Sequence, residues 1–182
     1  MPASRVDVRA IQRPIREGFA ADPSTAVRRL RVTGGTADLA DPLHCEVEPD
    51  SVPGWSIRSG AHPSVGGTGD VPCSGDLLLA SLAACQETTL RMVAANQGIP
   101  IEHLEVIAEA DWDPRGTLAM GREYPVGLRT ISVRTTVTIA GDEGGERAAR
   151  LLRSAERYCV ILDTLRTGVE VEASFEVRAA GA

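Results

Sequence analysis

The segment from Ser74 to Pro100, SGDLLLASLAACQETTLRMVAANQGIP, constrains this chain more than any other. Ser74 and Asp76 offer side-chain oxygens to the free N–H groups of a helix start, and Gly98 ahead of Pro100 supplies a stop. About 23 residues lie between these signals, enough for a helix of roughly 34 Å. Its first half, Leu77 to Cys85, is apolar on nearly every face, so water suits none of its sides. Protein must therefore wrap it. A chain of 182 residues rarely surrounds such a helix alone, and a dimer sharing the helix in its core is the expectation.

The flanking segments alternate between strand and helix patterns. Residues 1 to about 24 are polar and interrupted by Pro2, Pro14 and Pro23, which predicts an arm, residues 1–24, with one short helix near Ile11 to Ala20. A single domain, residues 25–182, follows. Strands are expected over Ala26 to Thr33, ended by Gly34-Gly35, over Leu43 to Val47 and over Trp55 to Arg58. The Gly- and Pro-rich remainder of Val52 to Pro72 reads as loop. Beyond the central helix, Leu104 to Trp112 and Leu128 to Ile139 read as strands around a turn-rich excursion, Asp113 to Gly127. Helical spacing covers Glu143 to Arg157, a second short helix runs from Cys159 to Leu165, and Gly168 opens a last strand, Val169 to Val177. The fold class is α+β, with helices inserted between antiparallel strand pairs.

Composition removes several functions. With 19 basic and 25 acidic residues the net charge is −6, and no Lys- or Arg-rich block exists to track phosphates, so nucleic acid is not an expected partner. No apolar run approaches the ~20 residues of a membrane span. Arg5, Asp7, Arg9 and Arg13 leave no apolar core for a secretory signal near the start, which points to the cytoplasm. In a reducing compartment Cys45, Cys73, Cys85 and Cys159 are core filler, metal ligands or reactive thiols. No pair among the cysteines, His44 and His62 has zinc-ligand spacing, so a metal is not expected.

Cys85 lies inside the central helix beside Leu78, Ser81, Leu82, Thr88, Thr89 and Met92, where a cysteine taken alone is more often a small hydrophobe than a reactive group. Cys159 falls between two helical segments, where the N-terminal end of the second lowers a thiol pKa. Cys73 stands at the start of the central helix. His103 precedes a strand as a surface residue, and Glu87 and Arg91 are spaced as a helix-face ion pair, with Glu87 close enough to Cys85 in sequence to be kept as a site candidate. Asp113-Pro114-Arg115-Gly116 is turn chemistry.

Read together, these segments resemble a known family. Gly66-Gly67-Thr68, Pro72 and Asp76-Leu77-Leu78-Leu79-Ala80-Ser81-Leu82-Ala83-Ala84-Cys85 are similar to the OsmC/Ohr signature of a GG loop, a proline and a helix leading to the first redox cysteine. Ala155-Glu156-Arg157-Tyr158-Cys159-Val160-Ile161-Leu162 resembles the family's second cysteine motif, with Val160 where many relatives have proline. The resemblance implies antiparallel sheets wrapped around a long central helix in an intertwined homodimer, with a site at each dimer interface. It also implies a cysteine-based peroxidase: Cys85 attacks an organic hydroperoxide, Cys159 resolves the sulfenic acid as a disulfide, and a dithiol (a lipoylated protein, thioredoxin or a small thiol) restores both. A thiolate in apolar surroundings needs a fixed cation. The Ohr branch supplies an arginine oriented by a glutamate, but here Gly75 stands at the glutamate's place, with Asp76 next to it, and Gly34-Gly35-Thr36 replaces the Gly-Gly-Arg. Arg58 is the preferred substitute, with Arg29 and Arg31 behind it. The alternative reading is a non-catalytic dimer of the same fold that binds a small apolar ligand or responds to redox state.

Overall fold

The computed structural model describes residues 6–35, 38–143 and 145–177 of the chain. Thr36, part of the Gly-Gly-Thr run, lies outside them. The central helix is present as α2, Ser74–Gln97. Its cap is Cys73, one residue before Ser74, and Asp76 turns back to accept the Cys73 N–H at 2.9 Å. Gly98 stops it with φ 65° and ψ 30°, a left-handed conformation that glycine adopts at little steric cost. Leu82, Gln86, Leu90 and Ala94 recur every fourth residue and form its buried stripe.

The strands form two separate sheets. β1 (Val32–Gly34), β2 (His44–Pro49) and β3 (Ile57–Gly60) form an antiparallel sheet in that order. β4 (Ile101–Asp111) and β5 (Thr130–Ile139) form a long antiparallel ladder, from Asp111 opposite Thr130 to Ile101 opposite Ile139. A single helical turn, α3 (Pro114–Thr117), lies in the excursion between them, and the Asp113 carboxylate accepts the Arg115 N–H there at 3.1 Å. Helices α4 (Glu146–Tyr158) and α5 (Val160–Thr167) follow, with Cys159 joining them. The fold is thus the expected mixture of helices and antiparallel sheets.

The loop between β3 and α2 is fastened at several points, which fixes where the central helix begins. The Ser59 hydroxyl and Gly60 N–H both donate to the Pro72 carbonyl, at 2.8 and 3.1 Å. A Cβ at Gly67 would stand 1.6 Å from the Ala61 carbonyl oxygen, so only glycine fits. The His44 ring, on β2, bridges Asp41 at 2.7 Å and Asp70 at 2.9 Å.

The core divides into two clusters along α2. Leu90, Ala94, Ile139, Leu151 and Ala155 form one, and Leu82, Cys159 and Leu162 form the other, with Cys85, Ala108, Val133 and Ile161 packed against it. Leu82 and Leu90 are fully buried, each contributing about 2 kcal/mol. Gln86 interrupts the stripe between them.

Three expectations need correction. The first strand is Val32–Gly34 rather than Ala26 to Thr33, because Pro23–Ala26 is a 3-10 turn and the exposed residues after it find no ladder partner. The arm helix is longer than expected, Val8–Ala21 (α1), and is docked: Arg9 donates to the Asn96 carbonyl at 2.6 Å and the Asn96 amide to Gln12 at 2.9 Å. Residues 169–177 form no strand, and Val169, Val171, Phe175 and Val177 are exposed. Their period-2 apolar pattern identifies a face to be covered, but a sequence pattern does not name the partner that covers it.

Candidate functional site

Cys85 and Cys159 meet in the second core cluster, delivered by α2 on one side and the α4–α5 junction on the other. Both are free thiols, Cys159 fully buried and Cys85 partly so. Their environments push them in opposite directions. Desolvation raises the Cys85 pKa, but the Ile161 N–H, the Cys159 thiol, the Thr89 hydroxyl and the Val160 N–H donate toward its sulfur and together hold it below the ordinary cysteine value. Burial raises Cys159. The Leu162 N–H opposes that rise, but hydrogen bonding and charge from Cys85 add to it.

The donors have a common origin. The first N–H groups of a helix lack partners within it and carry its positive end, and α5 begins at Val160. The exposed end of α5 is thus aimed at the sulfur of Cys85 as well as at Cys159. Sequence reading placed this effect on Cys159 alone, since only Cys159 is adjacent to the helix in the chain. Thr89 completes the shell one turn after Cys85, a spacing that puts both side chains on one face of α2. The two thiols are thus chemically unequal, Cys85 lowered and Cys159 raised from the ordinary cysteine value.

Most of the remaining candidates have partners of their own. Arg58 is on β3, where its guanidinium stands 3.8 Å from the Asp70 carboxylate. Arg31 pairs with Asp50 at 3.7 Å, and Arg29 is exposed. Asp76 serves the start of α2, where the N–H and thiol of Cys73 hold its carboxyl below the usual range. Glu87 pairs with Arg91 at 3.2 Å on the exposed side of the helix. Cys45 is exposed on β2, and among the described residues no group of three or more His, Cys, Asp and Glu side chains is placed to hold a metal. Among them, too, no helix is long and apolar enough to cross a membrane.

Next to this site Gln86 is 4% exposed, and its Oε1 has no hydrogen-bond partner.

The family model described as OsmC-like protein matches residues 67–174, which take in both cysteines. No curated protein matches the chain. Solved structures share the fold at low identity. An OsmC-like protein of Mycoplasma pneumoniae is 18% identical, with a TM-score of 0.60 over 78% of this chain and 89% of its own. An organic hydroperoxide resistance protein of Elizabethkingia anophelis is 19% identical, with a TM-score of 0.56 over 79% and 92%. A Legionella pneumophila protein described as an organic hydroperoxide resistance protein OsmC is 20% identical, with a TM-score of 0.54 over 80% and 95%. Since the family model covers more than half of the chain, including the central helix and both cysteine-bearing segments, the chain belongs to the OsmC-like protein family.

Proposed function

We propose that this protein is a thiol peroxidase that reduces organic hydroperoxides. The observation that carries the reading is the contact between two thiols of opposite pKa shift, Cys85 lowered and Cys159 raised. The Cys85 thiolate attacks the distal peroxide oxygen, the O–O bond breaks, and the alkoxide leaves and takes up a proton as the alcohol. Cys85 is then a sulfenic acid. The Cys159 sulfur attacks it, water leaves, and a Cys85–Cys159 disulfide forms. A dithiol reduces that bond by exchange and becomes the oxidised partner. Cys159 starts protonated and surrenders its proton only after Cys85 has lost its negative charge, so the second step follows the first.

The apolar lining from Leu82, Ala108, Val133 and Leu162 favours organic peroxides over hydrogen peroxide. The working form in this reading is a homodimer in the cytoplasm. The apolar side chains of 169–177 and Leu78 on α2, exposed in a single chain, are the surface a second copy would cover. The structurally similar Legionella and Elizabethkingia proteins are organic hydroperoxide resistance proteins, which agrees with this reading. The alternative, a redox-responsive or ligand-binding dimer without turnover, draws support from the engagement of Arg58 with Asp70, which occupies the cation preferred for Cys85.

The test is to add one equivalent of cumene hydroperoxide to reduced protein and map disulfides by mass spectrometry, with Cys85→Ser as control. A Cys85–Cys159 crosslink in the wild type is the expected result. An unchanged thiol count removes the enzyme.

A further inference from the structure

The docked arm forms one wall of an open cavity of about 360 Å³ between α1, the second half of α2 and the end of α4. Thr89, Met92 and Val93 line its α2 side, and Tyr158 its α4 side. It lies along α2 from the cysteine pair: Thr89 follows Cys85 by one turn on the same face of the helix, and Tyr158 directly precedes Cys159. From α1 come Gln12 and Arg16, and among the described residues that line the cavity Arg16 is the one charged side chain.

Its guanidinium is held in place. Arg16 Nη2 donates to Gln12 Oε1 at 3.0 Å, and the same oxygen accepts from Asn96 Nδ2 on α2 at 2.9 Å. Among the described residues, no acidic side chain lines the cavity. A positive charge at the rim of a cavity otherwise lined by neutral side chains raises the local concentration of anions. We propose that Arg16 selects co-substrates for the Cys85 site by charge, favouring small organic molecules that carry a carboxylate over neutral analogues. The proposal rests on Cys85 being the reacting thiol, and it gives the N-terminal helix a part in specificity.

Two alkylating agents test it without any peroxide. Iodoacetate and iodoacetamide both lose iodide to a thiolate, and they differ in charge. Rates at Cys85 are read by peptide mass spectrometry, so the other cysteines do not interfere. Arg16→Gln is expected to lower the iodoacetate-to-iodoacetamide rate ratio by about threefold to tenfold at low salt, as for unit charges several ångströms apart near a protein surface. Arg16→Lys, which keeps the charge, should retain most of the ratio, and Arg13→Gln, on the same helix but away from the cavity, should leave it unchanged. An unchanged ratio in Arg16→Gln, an equal fall in Arg13→Gln, or an equal fall in Arg16→Lys overturns the proposal. Parallel rates with a carboxylated hydroperoxide and a carboxylated dithiol, each against its neutral analogue, then assign the charge to the oxidant or the reductant. If Arg16→Gln slows neither charged compound selectively, the proposal also falls. Loss of peroxidase activity alone leaves the alkylation ratio standing, so the two readings fail separately.

Discussion

Cys85 packs against Cys159, the residue that opens α5, and the Ile161 and Val160 N–H groups at that helix start lower its pKa, although Cys85 belongs to a different helix far away in the chain. Cys85 thus borrows the positive end of α5, which is also the helix that follows Cys159. One short element therefore lowers the nucleophile and carries its partner, so movement of α5 alters both at once.

Val160→Pro isolates the contribution of that N–H. Proline at the first position of a helix removes a donor the helix itself does not use, and its ring fits the local backbone. Cys159 at φ −78° and ψ 103° already has the extended conformation that a residue before proline requires. Loss of a hydrogen bond to a thiolate, worth about 1 kcal/mol, should slow iodoacetamide alkylation of Cys85 at pH 7 by roughly fivefold, with thermal stability little changed. A rate equal to or above that of the wild type would show that the donor contributes nothing.

Thr89→Val makes the corresponding test from the α2 side. The substitution is close to isosteric and removes the hydroxyl that lowers Cys85. The pH midpoint of Cys85 alkylation is expected to move up. The circular dichroism spectrum should stay unchanged. A midpoint that stays in place in Thr89→Val while shifting in Val160→Pro would assign the lowering to α5 alone.

The bridge of His44 between Asp70 and Asp41 predicts a pH window for stability. Hydrogen bonds from His44 to Asp70 and Asp41 raise the histidine above its ordinary value, so its contribution is full below about pH 6.5 and is lost as pH rises through the folded value. The Thr68 hydroxyl and His44 hold Asp70 down at about 2, so its contribution is present above about pH 3.9 and is lost as pH falls toward that value. The melting-temperature gap between wild type and His44→Gln should be widest between about pH 4 and 6.5 and should narrow above it. Both carboxylates are substantially exposed, so water and salt screen the effect. A gap constant from pH 4 to 9 would show that the bridge acts as a neutral contact.

Much of this arrangement was legible in the sequence where the cause is local. α2 announces itself because its cap, apolar run and Gly98 stop are contiguous, and α4 and α5 are marked by helical spacing on either side of Cys159. The partners of Cys85 were not legible: the Val160 and Ile161 N–H groups reach it only through tertiary packing, and a backbone donor leaves no mark in composition. Docking of α1 escaped for the same reason, since Arg9 and Gln12 find Asn96 across a gap of more than eighty residues. The pattern of 169–177 specifies an apolar face, and one chain does not supply the surface that covers it.

Gln86 provides the last prediction. It occupies the buried stripe of α2 between Leu82 and Leu90, and its Oε1 accepts no hydrogen bond. A buried acceptor without a donor costs roughly 1–3 kcal/mol, and two fully buried leucines one turn away on either side indicate what the site would tolerate. Leucine is close to glutamine in size and would join the two core clusters into one. Gln86→Leu is therefore expected to stabilise the protein by about 1 kcal/mol, seen as a higher urea midpoint at unchanged slope. If the midpoint falls instead, Gln86 has a partner in solution, such as a buried water, and the carbonyl is retained for that contact. In that event Gln86→Met, which is also apolar but unbranched, should destabilise as well, because the lost hydrogen bond rather than the shape of leucine would be the cause.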